Sequence, residues 1–299
     1  CARVTVLRDG RVTGVVSAAE ASARTLARLM VGRDIELPRR AAGPGAAAPR
    51  ALEVRGLVAE RAGAGRRALG PVDLVVGAGE IVGVAAIAGN GQAELVEAVV
   101  GLREARGGSV ALAGEDVTGW GVRRRRAGGL AYIPQDRRGR GTAPTRTVLQ
   151  NAIAARYRSP DLQRWGWLDG AKARRLAADI VKRFDVRTSG LNATGLTLSG
   201  GNLQKLVVGR ELEVEPRLLV AEDPTQGIDI GSVEAVRHHL LSAAERGCGV
   251  LLVSQDLSEV IALSDRMIVL YEGKVAGECR PGPGVEQTLG LLMTGAASG

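Results

Sequence analysis

Aromatic rings are nearly missing from this chain of 299 residues: three Trp, three Tyr and one Phe amount to 2% of it. Its 45% apolar fraction therefore rests on Ala, Val and Leu. No apolar run approaches the roughly 18 residues needed to cross a bilayer, and no charged-then-apolar leader opens the chain, which predicts a soluble, intracellular protein. Cysteine is scarce as well. Cys1, Cys248 and Cys279 have neither metal-ligand nor disulfide spacing and read as reduced thiols of a cytosolic protein. The two histidines, His238 and His239, sit mid-helix as solvent-facing or packing residues.

What is abundant is Arg, Ala and Gly. Forty Lys and Arg against 32 Asp and Glu leave a formal charge of +8, which raises nucleic acid or an anionic membrane surface as partners. The one dense basic run, Arg123 to Arg126, has no aromatic interleaving for base stacking and reads as a solvated face. The length suggests one or two domains. Residues Ala2 to Gly32 match Asp265 to Gly295 at a constant offset of 263, with Arg3, Val6, Leu7, Gly10, Val12, Gly14, Thr25, Leu26, Leu29, Met30 and Gly32 recurring unchanged. A repeat at this period predicts that residues 1–37 are the C-terminal tail of a preceding domain, missing upstream, that 38–50 (PRRAAGPGAAAPR) are a linker, and that 51–299 form a second, whole copy.

Within that copy, Leu52–Leu57, Val72–Val76 and Ile81–Ala86 read as strands, the last apolar throughout as in a strand buried on both faces. It runs into Gly89-Asn90-Gly91-Gln92-Ala93, after which Leu95, Val96, Val99 and Val100 give helical spacing. Strand, glycine loop and helix are the framework of a phosphate-binding loop, but Gln92 stands where that pattern has Lys and Ala93 where it has a hydroxyl. Gln92 brings no charge to a phosphate, and Ala93 cannot ligate Mg2+, so the backbone amides of Gly89 to Gln92 predict weak nucleotide binding and no efficient hydrolysis. Gly108–Ala113 and Leu130–Ile133 read as strands, Trp120–Ala127 as an exposed basic helix, and Arg146–Val208 as mainly helical. Trp165 and Trp167 are expected to be buried, with a partner-docking patch as the alternative.

Two stretches organise the rest. Leu198 to Lys205, LSGGNLQK, opens a helix with Ser199 as N-cap and two glycines that leave backbone N–H groups open to an anion. Leu218 to Asp229, LLVAEDPTQGID, is a buried strand ending in Glu222 and Asp223 at its carboxyl edge, where open α/β sheets place ligands. The strand Val250–Val253 ends at Gln255. A hairpin over Met267–Tyr271 and Lys274–Gly277 and a helix over Val285–Met293 close the chain.

Taken in order, these motifs resemble the signature motif, Walker B and D-loop of ATP-binding cassette (ABC) ATPases, and NLQK looks like the sugar and nucleoside importer branch. The resemblance implies an α/β core with a mostly parallel sheet and an antiparallel β part, plus an α-helical subdomain at about 140–208. It implies ATP and Mg2+, with nucleotide contacts at Gly89, Asn90, Gly91, Gln92, Ala93, Gln135, Ser199, Gly200, Gly201, Gln204 and Asp229. It puts the catalytic carboxylates and switch position at Glu222, Asp223 and Gln255, and candidate Mg2+ contacts at Gln135 and Glu222. Family members have Asp then Glu where this chain has Glu222 then Asp223, a swap that shifts each carboxylate by about 1.5 Å, and neutral Gln255 replaces a histidine. The implied partners are an upstream ABC domain, two membrane permeases and an extracytoplasmic solute-binding protein at the cytoplasmic face of the membrane, with no nucleic acid. Intrinsic hydrolysis by this half is doubtful; its expected role is to present LSGG to the partner's ATP. A non-transport ABC protein acting on ribosomes or nucleic acid, and a regulatory nucleotide-binding domain, remain as alternatives.

Overall fold

The computed structural model describes every residue except 1, 9, 35, 42, 44–47, 61–66 and 297–299, so Cys1 and the middle of the expected linker lie outside the described residues. The chain opens with β1 (Arg3–Arg8), β2 (Arg11–Ser17) and α1 (Ala23–Val31). Then come β3 (Arg50–Glu60), β4 (Arg67–Gly77), β5 (Ile81–Ala85), α2 (Gln92–Val100), β6 (Gly107–Leu112), β7 (Glu115–Asp116), α3 (Val122–Ala127) and β8 (Leu130–Ile133). A lateral helical unit follows with α4 (Val148–Ile153), a two-residue-strand hairpin of β9 (Gln163–Arg164) and β10 (Trp167–Leu168), α5 (Gly170–Arg183) and α6 (Gly200–Leu212). The chain then returns to the core with β11 (Leu218–Glu222), α7 (Ile230–Glu245), β12 (Gly249–Val253), α8 (Leu257–Leu263), β13 (Arg266–Tyr271), β14 (Lys274–Cys279) and α9 (Val285–Met293).

Six strands form the central sheet in the order β14-β13-β5-β12-β11-β8, parallel except for β14 at the edge. An antiparallel sheet of order β4-β3-β6-β7 packs beside it. Apolar runs make the central strands because both of their faces are covered. Leu218 and Val220 of β11 face one cluster with α2 and the antiparallel sheet, while Leu219 and Ala221 face the other with α6 and α7. Each Leu or Val so buried contributes about 1.5–3 kcal/mol. Helix starts follow the local chemistry: Thr147 and Gln150 form a capping box at α4, and Asp169, Ser199, Asp229 and Asp256 cap α5, α6, α7 and α8. This is an α/β fold with a mostly parallel sheet. No helix among the described residues is long and apolar enough to cross a membrane.

The sequence repeat is also a repeat of structure. β1, β2 and α1 recur as β13, β14 and α9, with the ladder irregularity at Val6/Leu7 in one hairpin and at Val269/Leu270 in the other. The close approach of sheet and helix is the same: a Cβ on Gly14 would sit 3.0 Å from Leu29 and one on Gly277 2.9 Å from Leu292. Their surroundings differ. Leu270 is fully buried because β13 pairs with β5, whereas Leu7 is 62% exposed and β1 pairs with β2 alone among the described strands. Just beyond the end of α1, Arg33 grips Glu234 of α7. The linker region is fastened at its start: the Arg40 guanidinium donates to Asp265 at 2.9 Å and to the Gly79 carbonyl at 2.6 Å, and its backbone N–H to Ala262.

Three expectations need correction. Arg125, placed on a solvated face, is 2% exposed, and its guanidinium donates to the carbonyls of Ala98, Val99, Thr118 and Trp120 at 2.6–2.9 Å. A cation fits there because Ala98 and Val99 end α2, where unpaired carbonyls concentrate negative partial charge. Its neighbour Arg126 pairs with buried Glu211. Trp165 and Trp167, expected to be buried, stand 90% and 81% exposed. They ride on a hairpin inside a region read as mainly helical.

His239 packs its ring on Phe184, centroids 4.3 Å apart. Burial, reinforced by the nearby positive groups, lowers its pKa to about 4. The unfolded chain therefore binds a proton at about pH 6.5 that the folded chain refuses until about pH 4. The contact's contribution is fully present above pH 6.5 and is lost as the pH falls through that window, by about 2–3 kcal/mol. Urea midpoints of wild type and His239→Leu at pH 7 and pH 4.5 check this: the fall on acidification is smaller in the variant by that amount.

Candidate functional site

β5 delivers the chain into a tight loop, Ala86 to Gly91, whose last glycine has φ 101 and heads α2. A Cβ on Gly91 would lie 2.8 Å from the Ala68 carbonyl and 3.2 Å from Gly273, so the loop can sit here only with glycine. Asn90 anchors the outer side, its amide oxygen accepting from the Glu272 N–H at 3.0 Å and its backbone carbonyl from Gly273 at 3.1 Å. Gln92, at the lysine position, folds back and donates to the Ile87 carbonyl at 3.0 Å. The amide that could have reached a phosphate instead staples its own loop, and its Oε1 is buried without a partner. Ala93 is exposed and offers no hydroxyl.

The loop faces a cleft of about 200 Å3 lined also by Gln135, Glu222, Asp223 and Gln255, with no Lys or Arg among the described residues that line it. Its carboxylates are already engaged. Asp223, with φ 42, accepts from the Gln255 backbone N–H at 2.8 Å, the Gln255 side-chain amide at 2.9 Å and the Gln135 amide at 2.8 Å. Glu222 accepts from the Tyr132 hydroxyl at 2.7 Å and the Gln135 N–H at 3.4 Å. Burial first, and then Glu222 itself, push the Tyr132 phenol pKa up, so the hydroxyl stays a donor. A base that polarises water needs a free lone pair aimed at it, and three donors on Asp223 leave about one of its four lone-pair sites, on Oδ1. Ala93 offers no oxygen to a cation, one Glu222 oxygen is taken by the Tyr132 hydroxyl, and Gln135 turns its N–H side to Asp223, so the other Glu222 oxygen is the group here best able to hold Mg2+. No cluster of three or more His, Cys, Asp or Glu arranged to hold a metal occurs among the described residues.

The signature presents the opposite picture. Ser199 is exposed at the head of α6, its Oγ accepting from the Asn202 amide at 2.9 Å, and Gly200 beside it is partly open. Gly201 is buried because a Cβ there would meet Ser232 Oγ at 2.3 Å and Asp229 at 2.6 Å; it lets the starts of α6 and α7 touch. Asp229 caps α7, accepting from the Ser232 N–H and hydroxyl, which hold its carboxyl below the usual range against the opposing effect of burial. Gln204, expected to reach a nucleotide, is 2% exposed and donates to the Pro224 carbonyl at 2.7 Å, so it serves the fold instead. Asn202, half-buried on the side of Ser199, donates its amide to the Ser199 hydroxyl.

The structure adds residues that spacing did not reveal. Arg137 donates to the carbonyls of Gln226 and Gly227 at 2.7 and 3.0 Å, and its guanidinium lies 3.2 Å from where a Gly200 Cβ would be. Buried Glu259 accepts from Thr225 at 2.7 Å and Ser254 at 2.8 Å. Burial raises its pKa despite these donors. The segment Pro224 to Gly227 is thereby tied to α6 by Gln204, to the loop after β8 by Arg137 and to α8 by Glu259. Arg137 lies two residues beyond Gln135, the contact that the family resemblance implies in this loop.

The sequence profile described as ABC transporter matches residues 69–226. The glucose import ATP-binding protein TsgD13 of Haloferax volcanii is 41% identical over 98% of this chain, and the nucleoside import ATP-binding protein NupA of Lactococcus lactis is 36% identical over 98%. The chain spans 53% and 58% of those two proteins, little more than half of their length. A solved nucleotide-free ATP-binding cassette from an ABC transporter superposes with a TM-score of 0.67 at 21% identity, covering 81% of this chain and 95% of the other, which is a likeness of fold.

Proposed function

This chain belongs to the ABC transporter family, and from that premise we propose that it is the part of an importer's ATP-binding subunit that completes a nucleotide site held mainly by another cassette. Phosphoryl transfer consists of positioning and neutralisation of charge, so a cleft that binds and cleaves ATP needs a cation at the phosphates and a metal. No Lys or Arg among the described residues lines this cleft. One contrast carries the reading: the Asp223 carboxylate is already held by the Gln135 and Gln255 amides, while Ser199 and Gly200 stand open at the positive end of α6 with the Arg137 guanidinium beside them. ATP and Mg2+ then belong to the opposite cassette, and Ser199, Gly200 and Asn202 close over the phosphates from this side. The repeat of β1-β2-α1 as β13-β14-α9 supports a tandem arrangement, with residues 1–37 as the tail of the first cassette.

The names of the two relatives support simple sugars or nucleosides as cargo, and with them two membrane permeases, an extracytoplasmic solute-binding protein and a place at the cytoplasmic face of the membrane. In this arrangement the solute is chosen by the other subunits. The test is ATP turnover with magnesium by this chain, compared with the longer protein carrying both cassettes. Loss of a single charge-stabilising group costs about 10²–10³-fold, so this chain should be at least about a hundredfold slower. Equal turnover would overturn the reading.

A further inference from the structure

Trp165 and Trp167 flank Gly166 at the tip of the β9-β10 hairpin, where Arg164 pairs with Trp167. Both turn residues are left-handed, Trp165 at φ 57 and Gly166 at φ 81, the geometry of a type I′ turn. Asn, Asp or Gly normally takes the first of those positions, and a bulky ring there is strained. Two of the chain's three tryptophans are thus held 90% and 81% exposed on one turn, one of them against its backbone preference. The fold gains nothing from this, so the tip answers to something outside the chain.

The charge around it says what. From Arg156 to Arg175 the chain carries six cationic residues, Arg156, Arg158, Arg164, Lys172, Arg174 and Arg175, against Asp161 and Asp169. Asp161 pairs with Arg156, and Asp169 is occupied in capping α5. The other five cations are exposed. Leu168, next to Trp167, is 45% exposed as well. A convex tip of amphipathic rings among arginines matches the headgroup layer of an anionic bilayer, where Trp seats its ring and Arg meets phosphate.

We propose that the β9-β10 hairpin is a membrane-interface anchor, with Trp165 and Trp167 seated at headgroup depth and Arg164 on lipid phosphates. The anchor stands apart from the identity of the cargo and from the nucleotide site, and its test involves neither. The protein is sedimented with phosphatidylcholine vesicles with and without phosphatidylglycerol, including lipids brominated near the headgroup end of their chains. The comparison is the double variant Trp165→Asn, Trp167→Thr: Asn-Gly is the favoured type I′ pair and Thr suits the strand, so folding is kept, as circular dichroism verifies. Wild type should bind phosphatidylglycerol vesicles at least about tenfold more tightly than the variant, with tryptophan emission quenched by bromine. Equal binding of the two proteins overturns the proposal. So does binding that needs a membrane protein in the vesicle and is absent from lipid alone, which would make the tip a protein-docking element.

Discussion

Ser199→Arg in the longer protein should lower ATP turnover by at least about a hundredfold while leaving the fold intact. Ser199 is exposed and its hydroxyl touches only Asn202 in its own helix, so the local cost is that of a lost N-cap, about 1 kcal/mol. In the proposed arrangement the functional cost is larger, because a long cation would fill the space over Gly200 meant for a phosphate of the opposite cassette, and displacement of reacting groups by about 1 Å already costs of order a hundredfold. Two measurements separate the effects. Thermal unfolding should shift by only a few degrees, and kcat should collapse. Unchanged turnover would remove the signature from the site and leave this half a structural domain.

Arg125→Met should reduce stability by about 3 kcal/mol, read as a fall in the urea midpoint at pH 7. Replacing a buried ion pair by apolar groups is often harmless, because both charges leave together. Here the partners are four backbone carbonyls that no substitution removes, and a buried acceptor left unmade costs about 1–3 kcal/mol. Methionine fills most of the volume, which keeps a cavity from confusing the result. Arg123→Met, on the exposed side of the same helix, should change stability by less than about 0.5 kcal/mol. A loss below 1 kcal/mol at Arg125 would mean that water enters and satisfies the carbonyls.

Local chemistry made most of this fold readable. Unbroken apolar runs marked β5, β11 and β12 because both faces of those strands are covered, and Ser199, Asp229 and Asp256 announced the helices they cap. The helix Val285–Met293 and the strand Leu130–Ile133 fall where periodicity put them. What was hidden depends on partners distant in sequence. Four successive arginines look alike, and the carbonyls of Ala98 and Val99, 27 and 26 residues away, help decide that Arg125 is the buried one. Gln204 was lost to the site for the same reason, since the carbonyl it serves lies 20 residues on. The tie between Tyr132 and Glu222 spans 90 residues, and no spacing rule signals it. The Trp hairpin was missed because its turn carries Trp-Gly where the usual signal is Asn-Gly.

The outer edge of β1 has a consequence for anyone handling this chain. Its counterpart β13 satisfies that edge by pairing with β5, while β1 keeps a row of backbone donors and acceptors without a neighbouring strand among those described, beside the exposed Leu7, Val12 and Val15. Such an edge recruits whatever strand is at hand. In the tandem arrangement proposed here the neighbour would be the preceding cassette's counterpart of β5, so a protein carrying both cassettes should stay monodisperse at concentrations where this chain self-associates.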